Sequence, residues 1–288
     1  MPTTTDYLNQ LISDKADLAA NLTLKGVTAS SSETFTELVP KVLDISGGGT
    51  DWGDTITDDW DTIIANANAG TVNGYSIGDT KSIEFIYDST PYVIQCEIIG
   101  KSHDIISGTA DKAALTFMNK WLGITWRMNT TATNAGGYMG EDGDLYDVSL
   151  DESGGALVHG CEMRKKLWTV YKALPTNLQN AIKTVDKIYD DTSSLRTSKE
   201  KLFLLSTEET GAASQTILVG QGTAYAKFTN AISRKKTGIA YPGYYLRSRR
   251  TNNQYFQIIS SSNGAASALA ATTYAGMCFC FCLGTAKN

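Results

Sequence analysis

The sequence predicts an α+β protein. Helical patterns fill the middle of the chain, short apolar strands crowd its C-terminal part, and a long Gly-, Thr- and Asn-rich stretch, 129–155, lies between regular segments. That order differs from the steady strand-helix alternation of a doubly wound sheet. With 288 residues, 42% hydrophobic and 19% charged, the chain is long enough for one large core or two modest ones. Lys and Arg number 25 against 30 Asp and Glu, a net charge of -5, so there is no general attraction for a phosphate backbone and nucleic acid is not an expected partner. No apolar run reaches about eighteen residues, so membrane insertion is not expected. The opening MPTTTDYLNQ lacks the basic and apolar regions of a signal peptide, which makes the cytoplasm the expected place of synthesis.

Residues 6 to 25 read as a helix with Thr5 as N-cap, Leu8, Leu11, Leu18 and Leu22 as an apolar seam, and Gly26 as its stop. So narrow a seam needs a partner, either another copy in a coiled coil or a larger assembly, with packing back on its own chain as the alternative. A second short helix follows, with Ser30 and Glu33 at capping-box spacing and Phe35, Leu38, Val39 and Val42 on one face. Ser46 to Thr50 is Gly-rich and reads as a linker. The expected organisation is therefore a helical segment 1–45, a linker 46–50 and a main domain 51–288. In that domain a helix capped by Thr57 spans Asp58 to Ala69, and Ser82 to Tyr87 and Tyr92 to Ile99 form a hairpin around Asp88-Ser89-Thr90-Pro91. Ala110 to Leu122 has helical spacing of apolar residues, and Cys161 to Ala173 and Thr176 to Asp186 read as helices split by Pro175. Lys201 to Ser206, Tyr244 to Leu246, Tyr255 to Ile259 and Met277 to Leu283 read as strands.

Between the last strands stands a polar, adhesive composition: Tyr245, Arg247, Arg249, Asn252, Asn253, Tyr255, Gln257, Asn263 and Tyr274 form the expected ligand-contact set. Tyr supplies rigid contact area, and Asn, Ser and Arg supply adaptable hydrogen bonds. Alternation puts Tyr245 with Arg247 on one strand face and Tyr255 with Gln257 on another, without saying which face is outward.

Signals for chemistry are weak by comparison, and no catalytic residue, metal or cofactor is expected. Gly74-Tyr75-Ser76-Ile77-Gly78 matches GxSxG, but a helix precedes it and a strand follows, the reverse of a nucleophile elbow. The two histidines, His103 and His159, have no recognisable catalytic context. Glu141, Asp142, Asp144, Asp147, Asp151 and Glu152 gather carboxylates without EF-hand spacing, and read as a solvated acidic loop. Cys278, Cys280 and Cys282 alternate onto one strand face with no CxxC nearby, and read as small core hydrophobes.

The stretch from Asp6 to Ile45, above all ETFTELVPKVLDI, resembles the N-terminal segment of tail-fibre and receptor-binding proteins from phages and prophages of Gram-positive gut bacteria. Residues from about 77 to 284 resemble a C-type-lectin-like domain family of unassigned function. The landmarks are Gly78-Asp79, Gly137-Tyr138 with Met163-Arg164 and Leu167, the run Phe203-Leu204-Leu205-Ser206-Thr207-Glu208-Glu209, and Tyr244-Tyr245-Leu246-Arg247-Ser248, where the family carries WWLRS. The chain departs from the pattern in Tyr244-Tyr245 and in its closing strand. These resemblances imply a C-type-lectin-like domain behind a tail-attachment segment. They further imply a non-enzymatic receptor-binding protein of the virion tail, assembled in the bacterial cytoplasm as a homo-oligomer, a trimer by preference. Its partners would be phage tail proteins and a bacterial surface protein or glycan. Placement of the C-terminal set is also similar to tropism determinants diversified by retroelements. Two alternatives stay open: a structural tail component, and an enzyme on the related formylglycine-generating fold using His103 or Cys161.

Overall fold

The computed structural model describes residues 3–24, 28–41, 53–120, 125–129, 138, 161–191, 194–212, 218–236, 242–250 and 254–287. The chain is mixed α/β, dominated by β-sheet, with a helical N-terminal part, and it divides into two compact units, Met1–Trp52 and Gly53–Asn288. The expected linker 46–50 lies outside the described residues.

In the first unit α1 spans Thr4–Leu24 and α2 spans Phe35–Lys41. The cap of α1 is Thr3 rather than Thr5: the Thr3 N–H donates to Asp6 Oδ2 at 2.6 Å and the Asp6 N–H donates back to Thr3 Oγ1 at 3.2 Å. Glu33 accepts from the Ser30 N–H at 3.1 Å, but the start of α2 is held by Thr34 and Glu37, whose carboxylate accepts the Thr34 N–H at 2.7 Å. Ala19, Leu22 and Leu38 make a small buried cluster with Leu18 and Ala29 against it. The other end of the seam is bare, with Tyr7, Leu8, Leu11 and Ile12 all more than half exposed.

The second unit opens with α3, Trp60–Ala69, capped by Asp59, which accepts from the Thr62 N–H, and not by Thr57. Gly70 closes it in the left-handed conformation that glycine adopts without a Cβ clash. Next come β1, Thr80–Tyr87, and β2, Thr90–Lys101, paired antiparallel with Tyr87 opposite Thr90. The loop is the two residues Asp88 and Ser89, both at positive φ, as a tight hairpin with matched twist requires.

β3, Leu115–Asn119, corrects the expected helix over 110–122. Every residue of it is buried, so both faces are apolar and no alternation shows; a strand in that setting cannot be told from a buried helix by spacing. β4 is the short Thr125–Trp126. α4, Glu162–Ala173, follows the expectation, whereas α5 stops at Ala181 (Thr176–Ala181) and the chain continues as β5, Ile182–Lys183, and β6, Val185–Asp191. Val185, Lys187 and Tyr189, with Ile188 between them, obey a period of two as well as a helical one, and the strand wins because β7, Ser194–Glu200, pairs with it. Residues 201–206 are buried and form no strand of their own: Phe203 makes a β-bridge to Cys280, and Leu205 O accepts the Arg247 N–H of the later strand at 2.9 Å. α6 is Ala231–Arg234, and the C-terminal strands are β8 (Gly243–Arg249), β9 (Tyr255–Ser260), β10 (Ala266–Ala270), β11 (Ala275–Gly276) and β12 (Cys280–Leu283).

These strands make two five-stranded sheets, ordered β1-β2-β3-β12-β5 and β10-β9-β8-β11-β4, beside the β6-β7 pair. The last strand therefore sits between β3 and β5, closing the sheet that the hairpin began. Its alternation divides the interior. Phe279, Phe281 and Leu283 enter one apolar cluster, where Phe117 stacks on Phe281 and Trp60 meets the pair edge-on and at a tilt, and Cys278, Cys280 and Cys282 enter the other. Gly243 begins β8 at φ 144, and a Cβ there would lie 2.0 Å from the Ile259 carbonyl oxygen across the ladder. Gly243→Ala is expected to destabilise the protein by about 3 kcal/mol, because both the backbone conformation and the β8-β9 approach must give way. Urea unfolding of the variant measures this, and an unchanged midpoint would show that the strands can part at that end without cost.

Candidate functional site

Four of the expected contact residues are interior. Tyr245, Arg247, Arg249 and Gln257 are all fully buried, which corrects their assignment to a surface display. The physical reason is that β8 and the middle of β9 are covered on both sides, so neither face is wet there. Arg247 instead ties three segments together. Its Nε donates to Ile188 O at 2.8 Å, Nη1 to Leu204 O at 2.7 Å and to Glu209 Oε2 at 2.6 Å, and Nη2 to Gln221 O at 2.7 Å. Arg249 does the same for β6, bonding the Asp190 carbonyl at 3.1 Å and its Oδ1 at 2.7 Å. Ser248 Oγ accepts from the Thr207 N–H at 2.9 Å and donates to Gln221 Oε1 at 2.9 Å. Tyr245 OH lies 2.6 Å from Ala270 O and 2.9 Å from Thr273 O. The FLLSTEE and YYLRS runs thus meet in one buried network, and what they share is structural cohesion.

The network extends to residues that spacing did not single out. The Lys187 ammonium bonds Asp104 Oδ1, Glu209 Oε1 at 3.0 Å and Tyr225 OH at 3.0 Å, with the Phe203 ring centre 3.9 Å away. Asp104 also accepts from Thr116 Oγ1 at 2.5 Å, Tyr225 OH at 2.7 Å and Cys282 Sγ at 3.3 Å. Burial pushes the Asp104 carboxyl up, but the Lys187 charge and hydrogen bonds from His103, Lys187 and Thr116 outweigh it and hold it well below its ordinary value. Burial likewise opposes Glu209, and the Arg247 and Lys187 charges win. Glu200, 2.7 Å from Arg164, goes the other way, because burial outweighs its partner.

The groups proposed for chemistry are engaged or unreactive. His103 stacks on Tyr225 with ring centres 3.9 Å apart, and its Nε2 lies 3.1 Å from Thr223 O. Cys161 is buried, which pushes its thiol up to about 12, far from the thiolate a nucleophile needs. Among the described residues no group of three or more His, Cys, Asp or Glu could hold a metal ion; the acidic stretch 141–152 and His159 lie outside them.

Of the remaining expected contacts, Tyr255 is half-buried, Asn263 and Tyr274 are exposed, and Asn252 and Asn253 lie outside the described residues. Tyr274 leads to a surface that the sequence reading missed. The register of β11 on β4 sets Ala275 opposite Trp126, which brings Tyr274 against Trp126, edge to face at 5.9 Å, and puts the Arg127 guanidinium 6.0 Å from the Tyr274 ring centre. From α4, Lys166 reaches over Trp126 at 4.2 Å and Tyr87 at 4.3 Å and bonds the Tyr87 hydroxyl. Tyr87 then borders an open groove of about 480 Å³ with Ile86, Asp88, Thr169, Lys172 and Ala173, and Lys172 caps Trp168 at 4.6 Å. The result is a continuous chain of rings and cations across β1, β4, α4 and the turn before β11.

Residues 131–285 match the family described as Domain of unknown function (DUF6273), which is more than half of the chain. The chain belongs to this family. The DUF6273 region supplies Lys187, Glu209, Tyr225, Arg247 and Tyr274, while Asp104, Thr116, Trp126 and Arg127 precede it. Neither the buried network nor the ring-cation surface is therefore complete within the DUF6273 match. Its final strand, β12, pairs with β3 from the preceding part of the chain. No curated protein matches the sequence, and no solved structure matches it.

Proposed function

We propose that this protein is a non-enzymatic adhesin: a phage or prophage tail-tip subunit that contacts a bacterial surface protein or glycan through a C-type-lectin-like module. The observation that carries the reading is the surface just described, where Tyr274, Trp126, Arg127, Lys166 and Lys172 reach solvent together, whereas Asp104, Lys187, Glu209 and Arg247 are spent on one another inside. Tyr, Trp and Arg are the side chains that dominate binding energies at interfaces. The contact set is accordingly revised to Tyr255, Asn263 and Tyr274, joined by Trp126 and Arg127, with Asn252 and Asn253 kept from the sequence reading.

Two five-stranded sheets with short helices are compatible with a lectin-like scaffold, and the tail assignment rests on the resemblance of residues 6–45. The exposed Tyr7, Leu8, Leu11 and Ile12 supply an apolar stripe for self-association, and an oligomer turns weak single contacts into avidity. Retroelement diversification would act on exposed positions such as Asn263 and Tyr274 and spare Arg247 and Arg249, which are buried and bonded inside.

Tyr274→Ala in the full chain is expected to lower adhesion to host cells about tenfold, with unfolding unchanged. Leu11→Glu is expected to reduce the trimer to monomers in light scattering. Undiminished adhesion by Tyr274→Ala would remove this surface from the reading, and no adhesion even by an intact wild-type oligomer would favour a structural tail component.

A further inference from the structure

We infer that the face from Tyr274 to Lys172 takes an acidic glycan, a sugar ring lying on Tyr274 beside Trp126 and its carboxylate or phosphate held by Arg127, Lys166 and Lys172. The inference names the ligand class for the proposed adhesive surface and rests on that reading.

Two properties of the face coincide nowhere else among the described residues. Cation-ring contacts recur through the molecule, but those of Arg164, Lys187, Lys201 and Lys236 are buried. The three whose cation is exposed or half-exposed all belong to this surface. Among the described residues, none of these three surface cations forms an ion pair, although their neighbour Lys165 is paired with Glu162 at 3.0 Å. Asp88 is the one carboxylate lining the adjoining groove. In a chain of net charge -5 a cluster of three cations with no ion pair among the described residues stands against the average, and it selects for an anion.

The rings decide what kind of anion. A pyranose presents one face of C–H bonds, which packs on the negative face of an aromatic ring, while its hydroxyls remain in water. Arg127 beside Tyr274 then offers a forked donor to a carboxylate or phosphate on the same sugar. The groove volume falls in the range of ligand clefts, roughly 300–1,000 Å³. A polynucleotide also stacks and carries charge, but its dense phosphates would meet the excess of carboxylates over the rest of the chain.

Isothermal titration of the full chain against four probes tests this: an oligogalacturonate, a neutral oligogalactan of equal length, a poly(glycerol phosphate) and a single-stranded oligothymidylate. The expected result is binding of the oligogalacturonate or the glycerol phosphate polymer, at least about tenfold weaker binding of the neutral sugar, and loss of the difference at high salt. The probe that binds identifies carboxylate or phosphate as the anion. Arg127→Ala should weaken the acidic ligand about tenfold and leave the neutral one unchanged, and Tyr274→Ala should weaken both. Equal affinity for neutral and acidic sugars overturns the inference, as does tightest binding of the oligothymidylate. Cell adhesion that depends on Tyr274 while every glycan fails also overturns it and leaves the adhesion reading standing. Conversely, glycan binding without any cell adhesion upholds the inference and removes the tail-adhesion reading.

Discussion

Arg247→Met is expected to lower the unfolding free energy by about 3–5 kcal/mol, the range for removing one partner of a buried ion pair. Three backbone carbonyls and Glu209 share this guanidinium, and its side chain is fully buried. Methionine of similar length keeps much of the packing but leaves Glu209 with Lys187 as its remaining cation among the described residues. It also strands the carbonyls of Ile188, Leu204 and Gln221, each a costly loss in the interior. Arg247→Lys should recover only part of the deficit, because one ammonium cannot span the directions that the planar fork serves. Denaturant unfolding of wild type, the two variants and the Arg247→Met, Glu209→Gln double variant measures both the loss and the coupling. A variant of native stability that had lost adhesion would restore Arg247 as a contact residue, against its burial.

What the sequence disclosed, and what it hid, follows from how many faces of each element are wet. The β1-β2 hairpin was readable because Glu84 and Ile86 point to solvent between buried Ile83, Phe85 and Tyr87, so the period of two is visible. β12 was readable from its unbroken apolar run, and the shared face of Cys278, Cys280 and Cys282 from their spacing. β3 was misread because both of its faces are dry. The display residues were misplaced for a related reason. Arginine and glutamine are usually exposed, and only three-dimensional partners such as Asp190 and Glu209, distant in sequence, reveal that Arg247 and Arg249 are not. Trp126 and Tyr274 form a surface through a two-residue strand pairing, β4 with β11, too short to leave any pattern. Their meeting is a product of topology, and residue spacing carries no trace of it.

Lys187→Met is expected to cost about 3–5 kcal/mol at neutral pH, and the size of that cost should itself depend on pH. Asp104 and Glu209 both have carboxyls held below their ordinary values in the folded protein. Each therefore contributes stability that is present above the unfolded value, about pH 4, and lost as pH falls through the folded one. Glu200 has the opposite sign: its carboxyl is raised, so it costs stability once the unfolded chain ionises, and acid relieves that cost. Wild type should accordingly weaken on acidification by less than Asp104 and Glu209 alone would dictate. Without Lys187, Asp104 loses its main counter-charge while Glu209 keeps Arg247, so Asp104 takes up a proton at higher pH than before. The variant's deficit should then be largest near pH 7 and smaller near pH 4, where protonation relieves the unpaired charge. Urea unfolding of both proteins at the two pH values tests this. A deficit that stays constant would mean that Lys187 acts through its packing on Phe203, 3.9 Å from the ammonium, and not through its charge.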